Sequence, residues 1–427
     1  MSVEIIRDPL WNNIRIDPLS FELIDTPAFQ RLRYVRQLGL AFLVYPGATH
    51  SRFEHALGTY HLARRTLSLF EEHDDYNALG RDECMLTRIA ALLHDIGHYP
   101  FSHALEEIGA LSHEEVAHPL ICGGEVAAIL RRELGSDAPE RIVALIRGKS
   151  ASPLQGLISG SIDLDKLDYL RRDAFMCGVV YGEIDVDRLI NALTLVRDPD
   201  TGQTRVGMIE KGLSALESLL FAKYQMYRNV YWHHAARSAT AMYKRLVSDA
   251  LDAGALDART LAGFTDEGIL HDLEQRSPNA LVSGLRQRRL FKRAFECPAA
   301  YLAPDAGEWI ADDHGLTTAV ENALATELDL KTGEVLLDYP TKTQMLGLDL
   351  LVQRSYGEVK RLTAEGWKGA INLPRLSEEF YRSARWLRVY TSERIAVDPN
   401  SVVRLANRSA DEVRDRLKAG TSLLDWA

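Results

Sequence analysis

Cysteine is scarce in this sequence. Four thiols, Cys84, Cys122, Cys177 and Cys297, stand far apart in 427 residues, with no CxxC pair among them. That spacing implies neither a disulfide scaffold nor a thiolate zinc site, and a reducing cytoplasm suits it best. Positive charge is in deficit too. With 50 Lys and Arg against 60 Asp and Glu the formal net charge is -10, which argues against the broad basic surface of a general nucleic-acid coat. No apolar run approaches the length that spans a bilayer, and the start Met1-Ser2-Val3-Glu4 lacks the basic and apolar regions of a signal peptide. Internal repeats, low-complexity tracts and long Gly/Ser linkers are missing as well. What remains, 46% apolar and 26% charged, is a globular chain long enough for one large core with an appended subdomain, or for two domains. We expect a cytoplasmic protein without membrane contact.

Apolar spacing predicts a mainly α fold with short β-hairpins. Alternation in Val3-Ile5 and Ile14-Ile16 flanks the turn-prone Asp8-Pro9, and Thr26-Pro27 then offers an N-cap and a first-turn proline for a helix running to about Gly39. From Phe53 to about Ala250 the period is helical, interrupted by a hairpin turning at Asp198-Pro199-Asp200-Thr201-Gly202, between Leu193-Val196 and Arg205-Ile209. Beyond it helices mix with short strands such as Gly333-Leu337 and Leu387-Tyr390, so we divide the chain into residues 1–254 and an α+β region, 255–427.

Histidine is abundant and uneven. Of 13, nine (His50, His55, His61, His73, His94, His98, His103, His113 and His118) fall between residues 50 and 118. In Leu93-His94-Asp95-Ile96-Gly97-His98 an imidazole sits beside a carboxylate. If the helix there ends at Gly97 and Pro100, His94 and His98 share a face and Asp95 is turned about 100° away. Imidazole with carboxylate and no thiolate suits iron, manganese, zinc or magnesium at an open site, whereas two surface histidines near a helix end are the ordinary alternative. His55 follows the turn-rich Pro46-Gly47-Ala48-Thr49-His50, where a third ligand is easily presented. Asp165, Tyr169 and Asp173 recur at i, i+4 and i+8, one stripe of a helix, which a solvated salt-bridged helix would also show.

The ordered set His55, His94-Asp95 and Asp165 resembles the H...HD...D pattern of the HD superfamily of metal-dependent phosphohydrolases. More narrowly, the blocks Ile24-Asp25-Thr26-Pro27 with Phe29-Gln30-Arg31-Leu32-Arg33, Pro46 to His55, His94 to His103 and Asp163 to Asp173 resemble deoxynucleoside triphosphate triphosphohydrolases of the dGTPase-like group. The resemblance covers about residues 3 to 235 well and the remainder more weakly. It implies an HD helical core in which His55, His94, Asp95 and Asp165 hold a divalent cation, and water attacks the α-phosphorus of a dNTP to give deoxynucleoside and triphosphate. It places His98, His103, Glu106 and His113 near the scissile phosphate, with His103 or His113 protonating the leaving 5'-oxygen or holding the phosphate. The family more often has aspartate where Glu106 stands.

The resemblance also implies substrate contacts. Arg52 and Lys166 match phosphate-binding cations, Tyr169 a wall against the sugar, Asp173 and Gln37 partners of the 3'-hydroxyl, and Tyr231 the ring that crowds the 2' carbon. Lys223 falls where an arginine meets the phosphates, and Trp232 replaces a glutamine near the base. Asp25, Gln30 and Arg33 match residues that read a guanine-type effector, GTP or dNTP, at a subunit interface. Arg288 and Lys292, in the basic cluster Arg286 to Arg293, match residues reaching effector phosphates from a neighbouring subunit, so a homo-oligomer follows; the cluster read alone is a solvated basic helix. Glu4, Arg7 and Glu210-Lys211-Gly212 depart from the regulatory pattern. Two other readings stay open: another HD phosphohydrolase (nucleotidase, phosphodiesterase or nuclease), and a nucleotide-sensing or nucleic-acid-binding protein with a vestigial site, against which the intact ligand quartet argues.

Overall fold

The Asp8 carboxylate closes the first hairpin. Its Oδ1 accepts the N–H groups of Leu10 and Trp11 at 2.9 and 2.7 Å, an Asx turn that sets strand β1 (Glu4–Asp8) antiparallel to β2 (Asn12–Ile16). The computed structural model describes residues 3–72, 79–341, 349–363, 366–367, 370 and 372–425, so His73 lies outside the described residues. Asp17 then caps the Pro18–Ile24 helix through Ser20 N–H.

The helix expected from Thr26-Pro27 to Gly39 is shorter. It covers Pro27–Gln30, tightens into a 3-10 turn at Arg31–Tyr34, and turns extended at Val35. The cause is a tertiary pairing. Arg52 N–H donates to Val35 O at 2.9 Å and Gln37 N–H to His50 O at 3.0 Å, so the strand-like segment 35–37 joins 50–52 instead of continuing a helix.

The capping box of Ser51 and Glu54 starts the central helix Arg52–Glu71, which is buried on most of its surface. It packs against the helices Arg81–Leu93 and Leu164–Cys177. Gly58 permits the second contact, because a Cβ there would collide with the Asp168 carboxylate and the Arg172 guanidinium.

Two small sheets complete the fold. Strands β3 (Leu193–Arg197) and β4 (Thr204–Ile209) form the hairpin expected around Asp198-Gly202, and β4 pairs in parallel with β7 (Leu350–Gln353), which pairs with β8 (Val359–Leu362). Strands β5 (Lys292–Pro298), β9 (Trp386–Thr391) and β6 (Val335–Asp338) form the second sheet; the last two match the expected strands near 333–337 and 387–390. The basic cluster Arg286 to Arg293 is not a helix: the Ala280–Arg286 helix ends there, Arg288 adopts a left-handed φ of 53°, and β5 begins at Lys292.

The fold is mainly α. One apolar cluster spans Trp11 to Val230 and takes in Leu350, Val352 and Leu362. A second joins Leu40 and Tyr99–Leu105 to residues 239–290, and a third lies within 295–423. Packing is therefore continuous across Ala255. All four cysteines are free, and no helix among the described residues is long and apolar enough to cross a membrane.

Candidate metal centre and adjoining pocket

His55, His94, Asp95 and Asp165 come from three elements and converge. His55 sits in the first turn of the Arg52–Glu71 helix, His94 caps the C-terminus of Arg81–Leu93 with Asp95 in the following turn, and Asp165 sits in the first turn of Leu164–Cys177. His55 Nε2 lies 3.2 Å from His94 Nε2, 2.9 Å from Asp165 Oδ1 and 3.6 Å from Asp95 Oδ2. His94 Nε2 lies 3.3 Å from Asp95 Oδ1 and 3.7 Å from Asp165 Oδ1. Two imidazoles and the Asp95 carboxylate gather within ligand distance of one centre, with Asp165 at their edge, a donor set that fits a divalent cation of borderline to hard character.

The surroundings support that fit. His55 Nδ1 is 2.8 Å from Asp168 Oδ2 and His94 Nδ1 is 2.9 Å from Ala91 O, contacts that turn both Nε2 atoms toward the centre. Asp168 is itself held by Trp11 Nε1 and by Arg172, which reaches on to Asp8 at 2.8 Å. Burial pushes the His55 proton off, yet hydrogen bonds to Asp165 and Asp168 and the charge of Asp95 outweigh it and raise its pKa to about 10. Asp95 is the reverse: burial pushes its carboxyl up, but Arg52, His94 and His98 hold it well below the usual range. Carboxylates thus dominate the charge around His55, and cationic side chains that around Asp95.

The HD helix ends earlier than its sequence suggests, at Leu93 rather than Gly97. His94 and His98 therefore do not share a helical face. His98 turns into a second group, its ring centroid 3.9 Å from His113 and 4.9 Å from His103, while Glu106 lies 3.0 Å from His113 Nδ1 and 3.3 Å from His103 Nδ1. Asp95 is the wall between the groups, since its Oδ1 is also 3.1 Å from His98 Nδ1. His98 Nε2 is buried with no partner among the described residues. Burial raises the Glu106 carboxyl, but its two histidines hold it well below the usual range; His113 is raised against burial by the same pairing.

A cluster of buried polar and aromatic side chains adjoins the first group through Tyr169. Asp173 is buried between His50 Nε2 at 2.8 Å and Tyr231 Oη at 2.7 Å, and the Tyr231 ring meets Tyr169 edge-on at 6.3 Å between centroids. Tyr169 in turn meets His55 edge-on at 6.4 Å. Gln37 is buried with its Oε1 unpartnered among the described residues. Of the cations, Arg52 donates to Asp95 Oδ2 at 2.6 Å and to Ser102 Oγ, and Lys166 to Gly160 O at 3.0 Å and to Asp163. Burial and neighbouring Lys166 push Lys223 down to about 8. Trp232 stacks edge-on with Tyr227 at 4.8 Å.

The residues matched to an effector lie elsewhere. Gln30 Nε2 donates to Ile24 O at 2.8 Å and Gln30 Oε1 accepts from Arg33 Nε at 2.8 Å, while the Arg33 guanidinium covers the Phe53 ring at 3.5 Å. Asp25 is exposed, Arg288 Nε donates to Leu43 O at 2.5 Å, and Lys292 is exposed at the start of β5. Sequence reasoning assigned no role to His50, Asp168 or Arg172. Asp168 had a signal, as one of four aspartates in the run Asp163 to Asp173, but its burial under Gly58 is a tertiary fact.

Comparison with known proteins agrees with this geometry. The HD domain family matches residues 52–173 and the HD associated region matches residues 184–368. An uncharacterized protein of Methanocaldococcus jannaschii is 38% identical over 291 residues, 68% of this chain and 59% of its own length. A deoxynucleoside triphosphate triphosphohydrolase SAMHD1 homolog of Dictyostelium discoideum is 27% identical over 369 residues, 80% of this chain and 69% of its own. The solved structure of a hypothetical protein from Aquifex aeolicus matches 99% of this chain and 100% of its own with a TM-score of 0.70 at 27% identity. The chain spans little more than half the length of the first curated relatives it matches. With the HD dipeptide at this centre and the two matches following each other along the chain, this protein carries an HD domain joined to an HD associated region.

Proposed function

We propose that this protein is a metal-dependent deoxynucleoside triphosphate triphosphohydrolase that cleaves dNTPs, dGTP foremost, to deoxynucleoside and triphosphate. The observation that carries the reading is Asp173, fixed by His50 and Tyr231 two helical turns from Asp165. A carboxylate so placed suits the 3'-hydroxyl of a sugar whose nucleotide phosphates reach the cation, and the Tyr231 ring beside it would crowd a 2'-hydroxyl. Relatives named as dNTP triphosphohydrolases support the same substrate class.

His55, His94, Asp95 and Asp165 would hold the cation, which when bound supplies Lewis-acid polarisation and activates water at neutral pH. Arg52, Lys166 and Lys223 would neutralise the phosphates, Arg52 and Lys166 by exchanging their present carboxylate partners for substrate oxygens. His113, kept protonated by Glu106, is the candidate donor to the leaving 5'-oxygen, with His103 beside it and His98 facing the phosphate. Gln37 would join Asp173 at the sugar and Tyr169 would pack on it. The proposal extends to control: a GTP or dNTP effector bound by Asp25, Gln30 and Arg33, with Arg288 and Lys292 contributed by a second copy, in an oligomer of two to four or more chains. Nucleotide-pool control or starvation of phage is the role such chemistry serves.

The test is product analysis. Purified protein is incubated with each dNTP and NTP in Mg, Mn or Fe, with and without GTP, and products are separated by chromatography. Triphosphate with deoxynucleoside is the expected result. Monophosphate with pyrophosphate, or cleavage of a diester, assigns the chain to another HD chemistry, and rates indifferent to every added nucleotide remove the effector.

A further inference from the structure

The loop that carries His98 is anchored from outside the pocket. Arg31, in the 3-10 turn Arg31–Tyr34, donates to three carbonyls, Ile96 O at 3.2 Å, His98 O at 2.7 Å and Phe264 O at 3.0 Å. Asp266 is 1% exposed at the start of the Asp266–Arg276 helix. Its Oδ1 accepts Phe101 N–H at 2.8 Å, and its Oδ2 accepts Arg36 N–H at 3.0 Å and Arg36 Nη1 at 3.3 Å. Both anchors thus tie the HD loop to the chain around residues 264–266, far along the sequence.

The anchored loop is strained. Phe101 and Ser102 have φ of 57° and 67°, a left-handed conformation that non-glycine residues keep only when their surroundings impose it. Gly39 leaves room for it, since a Cβ there would stand 2.8 Å from Phe101 O. Ser102 then accepts the Arg52 guanidinium, whose other nitrogen holds Asp95. Released from its anchors, this loop would relax, and His98 and Arg52 would lose their places together.

We propose that Arg31 and Asp266 are positioning residues that clamp residues 96–102 in the strained form and thereby set His98 beside Asp95 and Arg52 beside Ser102. Charge-assisted bonds to three carbonyls suit a guanidinium fork, which a lysine cannot reproduce. The activity arm of the test rests on the dNTP reading; the other arms do not.

The experiment uses the full chain and the variants Asp266→Ala, Asp266→Asn, Arg31→Ala and Arg31→Lys. Hydrogen exchange, metal content and dNTP kinetics are measured on each. We expect exchange across residues 96–103 to rise about tenfold or more in Asp266→Ala and Arg31→Ala, with the exchange of residues 164–177 and the metal content unchanged. The kcat should fall about tenfold or more, with part of the loss recovered in Asp266→Asn, which can still accept Phe101 N–H, and little in Arg31→Lys. Should an alanine variant fail to fold, its conservative partner supplies the same comparison. Unchanged exchange at 96–103, or a uniform rise along the whole chain, overturns the proposal. A wild type that hydrolyses no dNTP defeats the functional reading instead, and leaves the clamp to be decided by exchange.

Discussion

His55 and His98 are both buried imidazoles within reach of Asp95, and their surroundings push their protons in opposite directions. Around His55 the near charges are carboxylates, Asp95, Asp165 and Asp168, and its pKa rises to about 10. Around His98 burial comes first and Arg52 and His113 add to it, so its pKa falls well below the ordinary value despite Asp95. The first region therefore calls for a cation. The second presents an imidazole whose Nε2 is unpartnered among the described residues, with Arg52 on one side and His103, Glu106 and His113 on the other. One carboxylate, Asp95, stands between the two groups, its Oδ2 3.6 Å from His55 Nε2 and its Oδ1 3.1 Å from His98 Nδ1.

Breaking the first region should have the largest effect. Joint His94→Ala and Asp95→Ala replacement is expected to bring metal content to background and turnover below detection, while far-ultraviolet circular dichroism shows the helices intact, since ligands at an open site are not the apolar core. Retained turnover would mean the metal centre lies elsewhere. The second region separates from it through His98→Gln, for which we expect dNTP turnover to fall by about 10²–10⁴ with metal content at the wild-type level. Metal lost along with activity would show the two clusters to be one site.

A milder change sharpens the contrast behind His55. Asp168→Asn keeps the shape but removes the charge that orients His55, and should weaken metal affinity about 10- to 100-fold in chelator competition, with turnover restored by excess metal. Chelation alone should remove from the wild type the stability that bound metal supplies, about 2.7 kcal/mol at 100 times Kd and read as a fall in melting temperature, and leave the His94→Ala, Asp95→Ala protein where it was. Equal shifts in both would place the stabilising ion outside the centre.

The smallest effect belongs outside both regions. Burial pushes the Asp17 carboxyl up, but bonds from Tyr60 and from Ser20 prevail and lower it. A depressed carboxyl stabilises the fold above its unfolded value, about 3.9, and that share is lost as the pH falls through the folded value. Asp17→Ala should therefore cost about 1 kcal/mol at pH 7 in denaturant titration, with the gap to wild type closing in acid. A gap that widens on acidification contradicts the assignment.

Much of the site was legible before folding, for reasons particular to each stretch. Asp165, Tyr169 and Asp173 fall on one helix because their spacing is helical and Asp163 caps its start. The hairpins at Asp8-Pro9 and Asp198-Gly202 declare themselves through turn residues. The errors share a cause. The helix expected to reach Gly39 yields to pairing with residues 50–52, the HD helix stops at Leu93, beyond which Arg52 holds Asp95 and Arg31 the carbonyls of Ile96 and His98, and the basic stretch at Arg288 breaks toward the sheet of β5. In each case partners distant in sequence outweigh local propensity.

By itself the sequence determined the donor types and the helices that carry His55 and Asp165, because period, turn chemistry and side-chain identity are local properties. Only the tertiary structure decided which imidazole is surrounded by carboxylates and which by cations, that Asp168 stands behind His55 under Gly58, and that a strained loop is pinned from residue 266. Burial and charge act through space in a medium of low dielectric, and their balance at any one side chain is set by neighbours that the chain brings together only on folding.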